Sequence, residues 1–417
     1  MKRYFEHWTQ VLCYPEVDGS CDTDGGRAYL KLNDNRYSFV KLVSEILEIM
    51  PETVYRFDLA MRAEEGVSVR ISYRIFDAVG LQIYYSGLGK HVRFFTPEAG
   101  RRIELIVMIN SYTGGTAQID GCSLEPVCET APRKVKLAAV SGAYPGEAYR
   151  GLFEHTIEKN TEHAARMLDA AAKEGAQLVL FPEYYNFLGV KGVNGYTGAV
   201  RMDDPAVRVY ADKAREHHMF VVPCLNIIED GLLHESQLIF DPLGHMIGQY
   251  SKVHLTDGDL CSGSVPGKEI PVFDTEIGKL GCSICWDLYF PEHARVSYMK
   301  GAEILLNSTD STNPLQLPDT AESDAMFIVV AQGCKRVGDI VKTRIISRGG
   351  RELNHATTEK PFAIAEIDLT EDHSFFWAKG DQKALCLASR RPELYGTLTD
   401  GTTGFEDEYS VGCFKAD

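Results

Sequence analysis

Near residue 130 the amino-acid sequence changes rhythm, and this change constrains the fold more than any other feature. Upstream, the clearest signals have period two. Val67, Val69, Ile71, Tyr73 and Ile75 alternate with Ser68, Arg70, Ser72 and Arg74, which buries one face of a strand and wets the other. Further strand-like runs cover Val54–Met61, Leu81–Tyr85, Val92–Phe95, Ile103–Ile109 and Thr116–Asp120. Ser86-Gly87-Leu88-Gly89 and Gly114-Gly115 supply turn chemistry between several of them. Only Phe39–Met50 has helical spacing, and Pro51 ends it. Many short strands without alternating helices predict an antiparallel β-sandwich over residues 1–131.

Downstream of Thr130-Ala131-Pro132-Arg133 the pattern becomes strand, helix, strand. Val135–Val140 reads as a buried strand. Residues 152–174 place Ala164, Met167, Leu168 and Ala171 on one helical face, with Gly175 where a C-terminal cap belongs. Gln177–Phe181 is a short apolar strand. Asp204-Pro205 opens a second helix, which leads into Phe220–Leu225. Leu238–Phe240 and Met246–Tyr250 flank Pro242-Leu243-Gly244 as in a hairpin. Leu280–Cys285, Ile304–Leu306, Phe327–Ala331 and Phe362–Ile367 complete a mixed α/β domain over residues 134–417.

Both domains have material for a core, since 44% of the residues are hydrophobic and 24% charged. The net charge of -16, from 59 acidic and 43 basic side chains, disfavours general binding to nucleic acid or to anionic membranes, which attract basic surfaces. No apolar run follows Lys2-Arg3, so no secretory signal is expected, and no stretch approaches the length of a membrane span. The eleven cysteines are odd in number and scattered. They are read as reduced thiols of a cytoplasmic protein.

The chemistry is concentrated at strand ends. Leu178-Val179-Leu180-Phe181-Pro182 runs into Glu183, Ile247-Gly248-Gln249-Tyr250-Ser251 into Lys252, and Leu280-Gly281-Cys282-Ser283-Ile284 into Cys285. Buried ions are costly unless paired. If the three strand ends converge, an acid, a base and a thiol can satisfy one another. A thiol attacks only as a thiolate, so a base must take its proton, and desolvation suits a carboxylate to that exchange near neutrality. The Lys252 ammonium and the backbone N–H of Trp286 would stabilise the charge that builds on an attacked amide or nitrile.

Leu-Phe-Pro-Glu-Tyr-Tyr at 180–185, Tyr-Ser-Lys-Val-His-Leu at 250–255 and Cys-Trp-Asp-Leu-Tyr-Phe-Pro-Glu at 285–292 resemble the nitrilase superfamily of carbon–nitrogen hydrolases, nearest its amidase and N-carbamoyl amidase branches. The similarity runs from about Lys134 to Tyr395. It implies a four-layer αββα sandwich, no metal or organic cofactor, and a homodimer or larger homo-oligomer. It assigns Glu183 as general base, Lys252 as transition-state stabiliser and Cys285 as nucleophile. Tyr184 and Trp286 would line the substrate pocket, with Thr309 in the segment that normally borders it. Many family members carry a further glutamate beyond the lysine. Here Thr256-Asp257-Gly258-Asp259-Leu260-Cys261 follows, and either Asp257 or Asp259 stands in that region. Ala321-Glu322-Ser323-Asp324 lacks the arginine often found before the next strand, and Asn307-Ser308-Thr309 replaces a proline-containing segment.

Ordinary readings compete with each of these. A lone cysteine is usually a buried structural thiol, and only the two other motifs in register outweigh that for Cys285. Cys282 and Cys285 form a C-x-x-C with no second pair beside it, so Cys282 is read as core. His254 reads as a packed or hydrogen-bonded histidine, and Asp287 with Arg295 as a supporting ion pair. In the front domain, Trp8, Tyr84, Tyr85, Phe94 and Phe95 resemble the stacking aromatics of carbohydrate-binding modules, but aromatics at strand spacing are more often core. The resulting expectation is cysteine-dependent hydrolysis of a small amide or N-carbamoyl compound through a thioester, with release of ammonia. The alternatives are a nitrilase, an amine-accepting acyltransferase on the same triad, and a non-catalytic binding protein.

Overall fold

A computed structural model describes residues 2–12, 19–33, 38–88, 90–127, 133–142, 155–310, 316–333, 343–357, 359–370 and 382–399. They group into two compact units, one built from residues 2–127 with 382–399 and the other from residues 133–370.

The first unit is a pair of antiparallel sheets. One runs in the order His91–Phe95, Val54–Ala63, Gly115–Pro126, Arg27–Leu32, Ser20–Asp24, with Arg3–Tyr4 also on Gly115–Pro126. The other runs Trp8–Val11, Ser38–Ser44, Arg102–Ser111, Ser68–Phe76, Gln82–Leu88, with Leu47–Glu48 also on Arg102–Ser111. Alternate residues of both sheets, among them Leu30, Leu42, Phe57, Leu59, Ile75, Leu105 and Ile119, form one shared core. The helix expected over Phe39–Met50 is instead the strands Ser38–Ser44 and Leu47–Glu48. Val40 and Leu42 point inward at period two and the chain pairs with Arg102–Ser111, so cross-strand packing overrides the local helical spacing. Trp8 and Tyr84 are buried and Phe94 packs against the same core. Tyr85 is half-buried. The side chain of Phe95 lies outside the described residues.

The second unit has two sheets face to face. One runs Cys224–Glu229, Leu232–Phe240, Phe220–Val222, Leu178–Leu180, Lys134–Val140, Phe362–Asp368, with Met246–Ser251 also on Leu232–Phe240. The other runs Val272–Thr275, Gly278–Ile284, Ile304–Thr309, Phe327–Gln332, Arg344–Ile346, Glu352–His355. Strand alternation explains the layering. Leu137, Ala139, Leu178, Leu180 and Val222 face Leu280, Cys282, Ile284 and Leu306 between the sheets. Their neighbours Ala138, Val140, Val179, Phe181 and Val221 face the other way, onto Ala164, Leu168, Ala171, Tyr210 and Ala214 of the helices Ile157–Lys173 and Pro205–His217. The helices Pro291–Met299 and Gln316–Ser323 accompany the second sheet. Fully burying each large apolar side chain stabilises the fold by about 1.5–3 kcal/mol, and the apolar strands here are buried on both faces.

The helix boundaries follow local chemistry. Thr156 accepts from the Lys159 N–H, Gly175 follows the last turn at φ +81°, and Asp204 caps a helix that begins with Pro205. Residues 152–154, where the sequence places the start of the first of these helices, lie outside the described residues. No described helix is long and apolar enough to cross a membrane.

Candidate active site

The three strand-end residues meet at one buried cluster. Lys252, directly after Met246–Ser251, has 1% of its side chain exposed. Its Nζ lies 2.7 Å from Glu183 Oε1, 3.2 Å from Glu235 Oε2 and 2.9 Å from Asp259 Oδ2. Burial alone would push the Lys252 ammonium down, but Glu183 and Glu235, helped by Asp259, hold it well above its ordinary value. It therefore keeps its charge. Glu183 follows Phe181-Pro182 beyond Leu178–Leu180, and its Oε2 accepts the backbone N–H of Asp310 at 2.6 Å.

Cys285 leaves Gly278–Ile284 at φ +61°, opening the 3₁₀ turn Cys285–Tyr289. A left-handed conformation at a residue with a Cβ costs of order 1–3 kcal/mol and gathers at functional sites. Burial and the Glu183 charge push the thiol pKa up, against the Lys252 charge and the neighbouring Thr309. The resting group is a thiol.

Asp287 fixes the lysine and cysteine segments to each other. It is fully buried and accepts from Tyr250 Oη at 2.5 Å, from the His254 N–H at 3.1 Å and from the Ile284 N–H at 2.8 Å, with His254 Nδ1 at 2.8 Å. Tyr250 and His254 flank Lys252, and Ile284 precedes Cys285. Burial works against the Asp287 charge, yet these donors and the neighbouring His293 hold its carboxyl below the usual range. The expected Asp287–Arg295 pair does not form. Arg295, on Pro291–Met299, instead forms an ion pair with Asp324, Nε to Oδ1 2.8 Å. An Asp287→Asn variant is expected to lose about 1–3 kcal/mol, because its amide would face buried donors, and to lower kcat with it. Thermal melts beside steady-state kinetics check this.

Gln237 Nε2 reaches the Ser283 carbonyl, the Leu306 carbonyl and Ser308 Oγ, and Ser308 Oγ donates to the Phe181 carbonyl at 2.7 Å. These bonds cross from one sheet to the other, one residue from Thr309 and two from Glu183 and Cys285.

A carbon-nitrogen hydrolase family description matches residues 136–371, more than half of the chain. The chain belongs to the carbon-nitrogen hydrolase family. Similar relatives include a citrullinase of Francisella tularensis, 35% identical over 255 residues that span 55% of this chain and 88% of that protein. Nitrilase 1 of Arabidopsis thaliana is 32% identical over 43% of this chain and 55% of its own. A double mutant of the amidase from Nesterenkonia sp. AN1 superposes with a TM-score of 0.51 at 20% identity, covering 65% of this chain and all of its own. This last likeness concerns the fold, the αββα sandwich of the nitrilase superfamily. The enzyme is thus a hydrolase of non-peptide carbon–nitrogen bonds.

Within this hydrolase, Glu183, Lys252, Cys285 and Thr309 come together. Tyr184 follows Glu183 at φ +38° and stacks on Phe187 with ring centroids 5.2 Å apart. Burial, then the charges of Glu183 and Asp310, push its phenol up. Trp286 is exposed and lies 4.4 Å from Tyr289, ring centre to ring centre. Asp259 contacts Lys252, whereas Asp257 is exposed on the first turn of the short helix Asp257–Cys261. Cys282 lies in the core and His254 is hydrogen-bonded, as the sequence suggests. Sequence reasoning missed Glu235. Its signal is the polar Glu235-Ser236-Gln237 set between Leu232-Leu233 and Leu238-Ile239-Phe240, all three buried in Leu232–Phe240.

Proposed function

We propose that this enzyme hydrolyses a small linear amide or N-carbamoyl compound through a thioester on Cys285, releasing ammonia. The carrying observation is the buried Lys252 ammonium bound by Glu183, next to a thiol held in a left-handed turn. A thiol with a raised pKa cannot attack until its proton leaves. Glu183 takes that proton as sulfur bonds to the carbonyl carbon, then returns it to the departing nitrogen. Water replaces the ammonia, Glu183 removes its proton, and the thioester breaks to acid and thiol. Lys252 has three N–H groups and three carboxyl neighbours, so it acts on the developing oxyanion through its charge. The direct hydrogen bond is assigned to the N–H of Trp286. Similarity to a citrullinase supports including the N-carbamoyl group, for which carbon dioxide would follow ammonia.

The test is a panel of linear amides, carbamoyl amines and nitriles scored by ammonia release. Turnover of an amide or carbamoyl amine by wild type but not by Cys285→Ala is the expected result. Equal turnover by both proteins would overturn the mechanism.

A further inference from the structure

Three carboxyl groups surround one ammonium. Were Glu183, Glu235 and Asp259 all ionised, Lys252 would leave a net charge of about -2 on a cluster in which all but Asp259 are almost completely buried, which is expensive. Glu183 and Glu235 flank the same ammonium, so ionising one opposes ionising the other, and the less costly arrangement leaves a proton on one of them. Geometry decides which one. Both Glu183 oxygens already accept donors, Lys252 Nζ at 2.7 Å and the Asp310 N–H at 2.6 Å. Glu235 Oε2 accepts from Lys252 at the longer 3.2 Å, and its buried Oε1 receives no donor among the described residues.

Building on the triad reading above, we infer that Glu235 is a positioning residue that stays a neutral carboxylic acid, accepts from Lys252 through Oε2, and donates its own proton to Glu183. The working base is then an acid–carboxylate pair. Glu235 aims Glu183 and holds the cluster one negative charge short of full ionisation. Burial and then the Glu183 charge push the Glu235 carboxyl up, in the direction this requires, and Lys252 opposes them without reversing the shift. Ionising Glu235 at alkaline pH would set two carboxylates against each other and remove the donor to Glu183.

Glu235→Gln is the discriminating variant, because glutamine keeps a carbonyl acceptor and an N–H donor but cannot ionise. It should keep kcat/KM at the optimum within about tenfold of wild type, and its alkaline limb should move up by about one pH unit or more. Glu235→Ala should lose about 10²-fold or more. Superimposable wild-type and glutamine pH profiles would overturn the inference, as would a glutamine variant as inactive as Cys285→Ala, which would make Glu235 work as an anion. Infrared spectroscopy supplies a readout that needs no substrate. Wild type at neutral pH should show the carbonyl band of a buried carboxylic acid, and Glu235→Gln should lack it. An unchanged band would overturn the inference even if no amide substrate were found. Failure of the triad reading is distinguished separately, by turnover in Cys285→Ala.

Discussion

Cys285→Ala is expected to reduce ammonia release by about 10⁶-fold, the order of effect seen when a covalent nucleophile is removed from a catalytic set. The loss should fall on kcat, because Glu183, Lys252 and the Trp286 N–H all remain to bind substrate. The fold should tolerate the change. Alanine meets the same left-handed φ of +61° as cysteine, so the backbone strain is carried over. Cys285→Gly separates strain from chemistry. Glycine adopts positive φ at little cost, so this variant should melt no lower than the alanine one and be equally inactive. Intact-mass analysis of wild type quenched during turnover should find the acyl group on Cys285, and neither variant should gain it. Turnover by the alanine variant above the background rate would remove the thioester from the mechanism.

The site was legible in the sequence where polarity stood out against apolar strands. Glu183 and Cys285 each follow a buried apolar strand, whereas Lys252 follows Met246–Ser251, in which only Tyr250 is buried. Glu235 was not legible in the same way, because its polar neighbours Ser236 and Gln237 make the middle of Leu232–Phe240 look solvent-facing. All three are buried, each against a partner distant in sequence: Glu235 with Lys252, Ser236 with Ser251, and Gln237 with Ser308. Arg295 shows the same limit, since only the placed helix selects Asp324 over Asp287. The strand Ser38–Ser44 shows it for the fold. Val40, Leu42 and Ser44 are compatible with either period until Arg102–Ser111 lies beside them. Capping was easier to read, because Asp204-Pro205 and Gly175 act within one turn.

Replacing Lys252 should have an effect of similar rank, with a signature of its own. Lys252→Met keeps much of the side-chain volume but removes the ammonium that Glu183, Glu235 and Asp259 share. Breaking a buried ion pair from one side costs about 3–5 kcal/mol, and activity should fall to background along with the field on the oxyanion. The carboxyl groups left behind can recover part of that cost by binding protons. In the variant their folded-state pKa values would then lie above the unfolded ones. Groups shifted in that direction contribute stability that is fully present below the unfolded pKa and is lost as pH rises through the folded pKa. The melting-temperature deficit of Lys252→Met relative to wild type should accordingly be largest near about pH 8 and shrink toward about pH 5. A deficit independent of pH across that range would mean that Glu183 and Asp259 do not depend on the lysine for their charge. The electrostatic account of the cluster would then fail, even if the variant were inactive.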